Sequence, residues 1–243
     1  MATSRRQGIL VPDFTARPDR PSGTIPAIVQ LEGNGVVIDL IYLNRSKFFE
    51  MLWTGTVSAC RKELQVVGVR INCEVNSLLV SVSRKSANDR SVLCTVERDE
   101  LFPHKNEPKF KDGDEIRPVI VMQTFPEGMV SMLGSTNSLA FETMRDLGQL
   151  VLWSVSRKKL WHKGAEESGN YVPVEHVYTH PSGMLLTYVT NSAVPVCHTN
   201  SLGCYSRSVL VSTPLLMDVP EDRIPRLKVL DRRMAAVSEL IKS

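Results

Sequence analysis

The chain carries an internal repeat, and a repeat limits the folds open to it. Asn44, Phe48, Met51 and Gly55 recur, 93 positions on, as Asn137, Phe141, Met144 and Gly148. Each set follows two apolar, β-rich runs: residues 25–30 and 36–43 in the first copy, 118–122 and 129–133 in the second. In both copies the Asn side chain can cap a short helix, Phe and Met three apart share a face of it, and Gly stops it. Four matched positions in twelve could arise by chance, but the shared order of strand, helix and glycine stop favours one supersecondary unit used twice.

Beyond the helices the copies differ in length and then rejoin. Residues 73–82 match residues 180–189 at a spacing of 107, so the second copy holds 14 more residues between its helix and this strand. The extra chain falls within residues 154–170, where the first copy keeps a stub, residues 58–64. The sequence therefore divides into a first module (1–103), a charged, Pro-bearing linker (104–116), a second module (117–213) and a tail (214–243). In the tail, Leu227, Leu230, Met234, Val237 and Ile241 keep helical spacing after Pro225, an amphipathic helix suited to covering a sheet or to self-association. The expected fold class is α+β, mainly β, with two similar sheet-rich modules related by a pseudo-two-fold axis, plus a C-terminal helix.

Charge narrows the partners. With 29 Lys and Arg against 26 Asp and Glu, the net charge of +3 lacks the dense basic stripe of a nucleic-acid or membrane-surface binder. No apolar run approaches the roughly 18–20 residues that span a bilayer. The segment Met1 to Gly8 carries two arginines without an apolar stretch after them, so no secretory signal is expected. Five cysteines, an odd number, argue against a disulfide framework and for a reducing compartment, the cytoplasm.

Two segments could carry chemistry. Cys197 and Cys204, with His198 beside the first, form a weak zinc signal by spacing alone, and two buried thiols are the plain alternative. Residues 154–170 gather Arg157, Lys158, Lys159 and Lys163 with Ser156, Ser168 and glycines. Such a loop can cradle a phosphate through charge-assisted hydrogen bonds and exposed N–H groups, or can be a solvated basic hairpin.

Taken together, Pro26-Ala-Ile-Val-Gln30, Tyr42-Leu-Asn44, Ser156-Arg157, Leu160-Trp161, Lys163-Gly164, Ser168-Gly169-Asn170 and Cys197-His198-Thr199 with Cys204 resemble the phosphoribosyl-AMP cyclohydrolases of histidine biosynthesis. The resemblance spans nearly the whole chain, one family unit per module. It implies a mainly β homodimer architecture with zinc at the subunit interface, held by one cysteine of one subunit and two of the other, and a magnesium site of aspartates beside the first cysteine. The family's metal loop, Asp-Cys-Asp-Gly-Asp, falls on Asn72-Cys73-Glu74-Val75-Asn76 in the first module. In the second it falls on Thr179-His180-Pro181-Ser182-Gly183, without cysteine or carboxylate.

The resemblance thus implies a single-chain pseudo-dimer with one composite site: zinc on Cys73, Cys197 and Cys204, and a substrate loop of Ser156, Arg157, Trp161, Lys163, Gly164, Ser168, Gly169 and Asn170. His198 would carry a proton, its alternative being a structural histidine. A zinc-activated water would open a purine-type ring of a phosphoribosyl nucleotide, phosphoribosyl-AMP being the first candidate. The opposite pseudo-site, with His180 and Cys94, would be dead or merely structural. Departures touch substrate and metal: Asn72, Glu74 and Asn76 carry one formal negative charge where the family has three, so magnesium should bind weakly. Val155 replaces an arginine, and the run Lys163 to Asn170 is one residue longer than the family's. The rival reading is a pseudoenzyme, a nucleotide-binding or structural protein that retains zinc without turnover. The partner expected is a small phosphorylated nucleotide, with the chain acting as a monomeric pseudo-dimer or associating further through its tail.

Overall fold

A strand buried on both faces loses the polar alternation of a half-exposed one and reads as a continuous apolar run. Residues 25–29 and 118–122 read that way, and both become central strands. The computed structural model describes residues 11–33, 35–83, 108–113, 115–124, 129–164, 171–179, 183–189, 197, 201 and 203–209. The tail helix expected within residues 214–243 lies outside them.

In the first unit β1 (Thr24–Leu31) and β2 (Val37–Asn44) form a hairpin, followed by α1 (Arg45–Thr54), β3 (Thr56–Ala59), β4 (Lys62–Ile71) and β5 (Leu78–Val82). The sheet runs β4-β5-β1-β2, with β1 parallel to β5 and the other pairs antiparallel; β3 pairs with β4. The second unit repeats the order: β6 (Arg117–Gln123), β7 (Met129–Thr136), α2 (Ser138–Leu147), β8 (Val151–Ser154), β9 (Lys159–His162), β10 (Val174–Thr179) and β11 (Leu185–Val189). Its sheet runs β10-β11-β6-β7, with β11 parallel to β6 and the other pairs antiparallel, while β8 and β9 form a separate ribbon.

The agreement extends to irregularities. The β1–β2 ladder shifts register after Val29 and the β6–β7 ladder after Val121; β4–β5 and β10–β11 each shift opposite the end of the parallel strand. Asn44 Oδ1 accepts from Lys47 N at 2.8 Å and Asn137 Oδ1 from Ala140 N at 2.9 Å, so both helices carry the predicted cap. Gly55 and Gly148 end them in the left-handed region, φ 69° and 62°, which costs glycine nothing. Where the first unit has the single strand β4, the second has β9 and β10 with residues 163–173 between them. The extra chain therefore sits mainly after the β8–β9 ribbon, overlapping the 154–170 stretch expected from the sequence and running on to residue 173.

Three cores result. One lies beneath α1, around Ile25, Val29, Phe48 and Leu64, and another beneath α2, around Val121, Met144 and Leu152. The third joins the units: Ile28, Val37 and Leu79 pack with Ile120, Met122, Val130, Met184 and Tyr205. A last strand, β12 (Arg207–Ser208), leaves the second unit and pairs antiparallel with β4 of the first, at Arg207–Ile71 and Ser208–Arg70. The sequence division had kept that strand within the second module. No helix among the described residues is long and apolar enough to cross a membrane.

Candidate active site

Cys73 meets two cysteines from more than 120 positions later in the chain beside this joint. The sulfurs of Cys73, Cys197 and Cys204 lie within 4.8 Å of one another, and Cys197 Sγ is 3.5 Å from Cys73 Sγ. None of the three is in a disulfide. Local structure explains each position. Cys73 sits in the tight turn between β4 and β5, where Asn72 N donates to Ser77 O and Val75 N to Asn72 O, both at 3.1 Å. Cys197 N donates to Ser201 O at 3.2 Å, and Cys204 N to Ser131 O at 2.6 Å, at the register shift of β7. Gly203 makes that last approach feasible, because a Cβ there would lie 3.1 Å from Ser131 Cα.

The turn bearing Cys73 is held by the second unit. The Arg207 guanidinium donates to Asn72 O at 2.8 Å and to Cys73 O at 2.6 Å, and Ser77 Oγ meets the buried Tyr205 hydroxyl at 2.9 Å. Burial pushes the Tyr205 phenol well above its ordinary pKa, so it stays neutral in this role. Sequence reading missed Arg207, Tyr205 and Ser77. Gly203 beside Cys204 was the one visible hint.

Electrostatics follow from burial. Desolvation, then the neighbouring thiols, raise the Cys73 and Cys204 pKa values, so without a cation these thiols hold their protons. A divalent ion would reverse that preference by stabilising thiolates. The fit to zinc is good: sulfur is a soft donor zinc accepts, and tetrahedral Zn–S bonds of about 2.3 Å set sulfurs roughly 3.8 Å apart. Magnesium does not fit. Asn72 Oδ1 accepts from Asn76 N at 2.8 Å and Ser77 N at 3.1 Å, Asn72 Nδ2 donates to Asn76 Oδ1, and Asn76 Nδ2 donates to Glu74 Oε2, both at 2.6 Å. These side chains tie the turn to itself and offer one carboxylate, where a hard cation wants several anionic oxygens.

The thiols open onto a cleft that both units line. Pro26 and Tyr42, paired across β1–β2, border it together with Pro118 and Ser135, paired at the corresponding place across β6–β7. Trp161 and the buried Lys163 line it, with Lys163 Nζ 4.7 Å from the Trp161 ring centre. Ser156 and Arg157 do not. They occupy the β8–β9 turn, where Arg157 Nε donates to Ser154 Oγ at 3.2 Å and the guanidinium lies 5.8 Å from the Trp161 ring centre. The ribbon carries them outward, so Arg157 bears on Trp161 rather than on the cleft. Gly164 follows Lys163 at φ 89° without lining the cleft. Ser168, Gly169, Asn170, His198, His180 and Cys94 lie outside the described residues. Arg17, Asp19 and Arg20, from the segment before β1, also border the cleft and were not foreseen.

Comparison with known proteins agrees with this geometry. Residues 132–206 match the family model described as phosphoribosyl-AMP cyclohydrolase, a stretch that includes Cys197 and Cys204 but not Cys73. The phosphoribosyl-AMP cyclohydrolase of Cenarchaeum symbiosum is 34% identical over 105 residues, covering 43% of this chain and 95% of that protein. The one from Sulfurisphaera tokodaii is 36% identical over 90 residues, 37% of this chain and 75% of that protein. A histidine biosynthesis bifunctional protein of Lactococcus lactis is 38% identical over 91 residues, and the chain spans only 42% of its length.

Proposed function

The chain belongs to the phosphoribosyl-AMP cyclohydrolase family, and we propose that it is a hydrolase of the same kind, opening a cyclic amidine C–N bond in the purine ring of a phosphoribosyl nucleotide at one composite site. The observation that carries this reading is the convergence of Cys73 from one unit with Cys197 and Cys204 from the other, at the head of a cleft containing Trp161 and Lys163. Cys73, Cys197 and Cys204 would hold zinc. When bound, zinc supplies Lewis acidity that makes water a usable nucleophile near neutral pH.

The chain's own residues do the rest. Lys163 brings a positive charge to a phosphate of the substrate, and its burial strengthens that contact. Trp161 offers an aromatic wall to a heterocycle, with Lys163 and Arg157 near its ring. Arg207 and Tyr205 hold the Cys73 turn in place. His198, adjacent to ligand Cys197, serves as proton carrier. Matching strand order, register shifts and caps support the reading of the units as tandem copies about a pseudo-two-fold axis, so that one chain supplies both halves of an interface site. Reduced thiols suit the cytoplasm.

Zinc-loaded protein incubated with phosphoribosyl-AMP should show the ultraviolet change of ring opening, with one zinc per chain by elemental analysis. Cys73→Ala should lose both metal and turnover, whereas Cys60→Ser should keep both. Wild-type protein that holds zinc and binds the nucleotide without opening it would be a pseudoenzyme instead.

A further inference from the structure

The segment before β1 forms a wall of the cleft that no motif announced. Arg17 is exposed and Asp19 and Arg20 half-buried, and all three border the same cleft as the thiols. Arg20 reaches deepest: its Nη1 donates to Asn76 O at 2.8 Å, within the Cys73 turn, and Nη2 to Thr15 O at 3.4 Å. Its Nε is buried with no hydrogen-bond partner among the described residues, and so is Asp19 Oδ1. Arg17 is only loosely engaged, 4.0 Å from Asp13 Oδ2 with both side chains partly exposed. An orphaned buried donor and an orphaned buried acceptor each forfeit hydrogen-bond energy unless something fills the gap.

We propose that this wall is a phosphoribosyl subsite: Arg20 and Arg17 receive a sugar phosphate, and the Asp19 carboxylate accepts from the ribose hydroxyls. The assignment rests on the cyclohydrolase reading and deepens it. A phosphoribosyl nucleotide carries two phosphates, one on each ribose, so one basic residue cannot serve both ends. Lys163 belongs to the second unit, whereas Arg20 is anchored on the first unit's Cys73 turn, so the cleft draws cations from both units. The cleft's own carboxylates, Asp19 and Glu74, leave these cations in slight excess. Burial, and then the charge of Arg17, lower the Arg20 pKa, as expected of a guanidinium short of a counter-anion. Arg20 also links the subsite to the Cys73 turn, so a bound phosphate would tighten the metal-bearing turn through a single side chain.

The test uses zinc-loaded full-length protein and ribose 5-phosphate as the probe, with inorganic phosphate as comparison, followed by calorimetry. Arg17→Ala and Arg20→Lys should each weaken ribose 5-phosphate binding, the pair together by about tenfold or more, as for loss of charge-assisted contacts. Asp19→Asn should weaken ribose 5-phosphate while leaving inorganic phosphate unchanged or tighter, a split that a purely structural role would not produce. Zinc content, measured in each variant, confirms that the Cys73 turn is intact; Arg17→Ala, at an exposed position, guards against misfolding of the others. Wild-type affinity for ribose 5-phosphate in zinc-replete Arg17→Ala and Arg20→Lys overturns the subsite. So does failure of the wild type to bind the probe. In either case turnover of phosphoribosyl-AMP by the same wild-type preparation would leave the cyclohydrolase reading standing.

Discussion

Cys60 illustrates how little a residue type says before its neighbours are known. It is a thiol outside any disulfide and half-buried like Cys73 and Cys204, yet it sits in the two-residue turn between β3 and β4 with its N–H donating to Asp39 Oδ2 at 3.0 Å. Cys60 and Arg61 both have positive φ, 48° and 61°, the backbone a twisted hairpin turn demands and glycine or asparagine adopts most cheaply. Arg61 is exposed, so its side chain forfeits little when removed. Arg61→Gly should therefore stabilise the protein by about 1 kcal/mol, the relief of a left-handed residue exceeding glycine's added unfolded-state entropy. In thermal unfolding this is a rise in Tm of about 3 °C, with zinc content unaltered. A fall in Tm would show the turn unstrained.

At the scale of elements, β12 has an effect beyond its two residues. By extending the first unit's sheet beyond β4, it sets Arg207 against the carbonyls of Asn72 and Cys73. Hydrogen bonds from a charged donor are worth about 1.5–3 kcal/mol, enough to decide how firmly a turn is held. Arg207→Ala should keep the circular dichroism of the native protein yet weaken zinc binding by about tenfold or more, read by competition with a chelator. Unchanged affinity would mean that the Asn72, Asn76 and Glu74 hydrogen bonds alone organise the turn. The asymmetry of the other strands has the same consequence. Splitting the equivalent of β4 into β9 and β10 is what brings Trp161 and Lys163 to the cleft in one unit only.

For the whole molecule, the joint between units is the quantity that matters, because Cys73 stands on one side of it and Cys197 and Cys204 on the other. Its core places Ile28 near the corresponding Ile120, both fully buried. Ile120→Ala should cost about 2–5 kcal/mol in urea unfolding, the range for removing a buried large aliphatic side chain. It should also weaken zinc binding, since the cavity loosens the relation between the ligand pairs. A loss of stability without any change in zinc affinity would mean that β12 and the thiol segment register the site independently of the core.

Local sequence was enough to place the two helices, their ends and the strands before them. Asn caps, glycine stops and continuous apolar strands are local signals, set by backbone sterics and short-range hydrogen bonds, and they appeared where the residues placed them. The fold class and the trio Cys73, Cys197 and Cys204 were legible too, the trio through family resemblance. Which side chains reach the cleft depended on packing instead. Ser156 and Arg157 lost their place because a ribbon's direction depends on what it packs against, which no motif encodes. Arg17, Asp19 and Arg20 gained a place in the cleft, and Tyr205 and Arg207 a hold on the Cys73 turn, because these contacts join segments far apart in sequence. Their contacts depend on packing between units, a long-range property that local patterns do not carry.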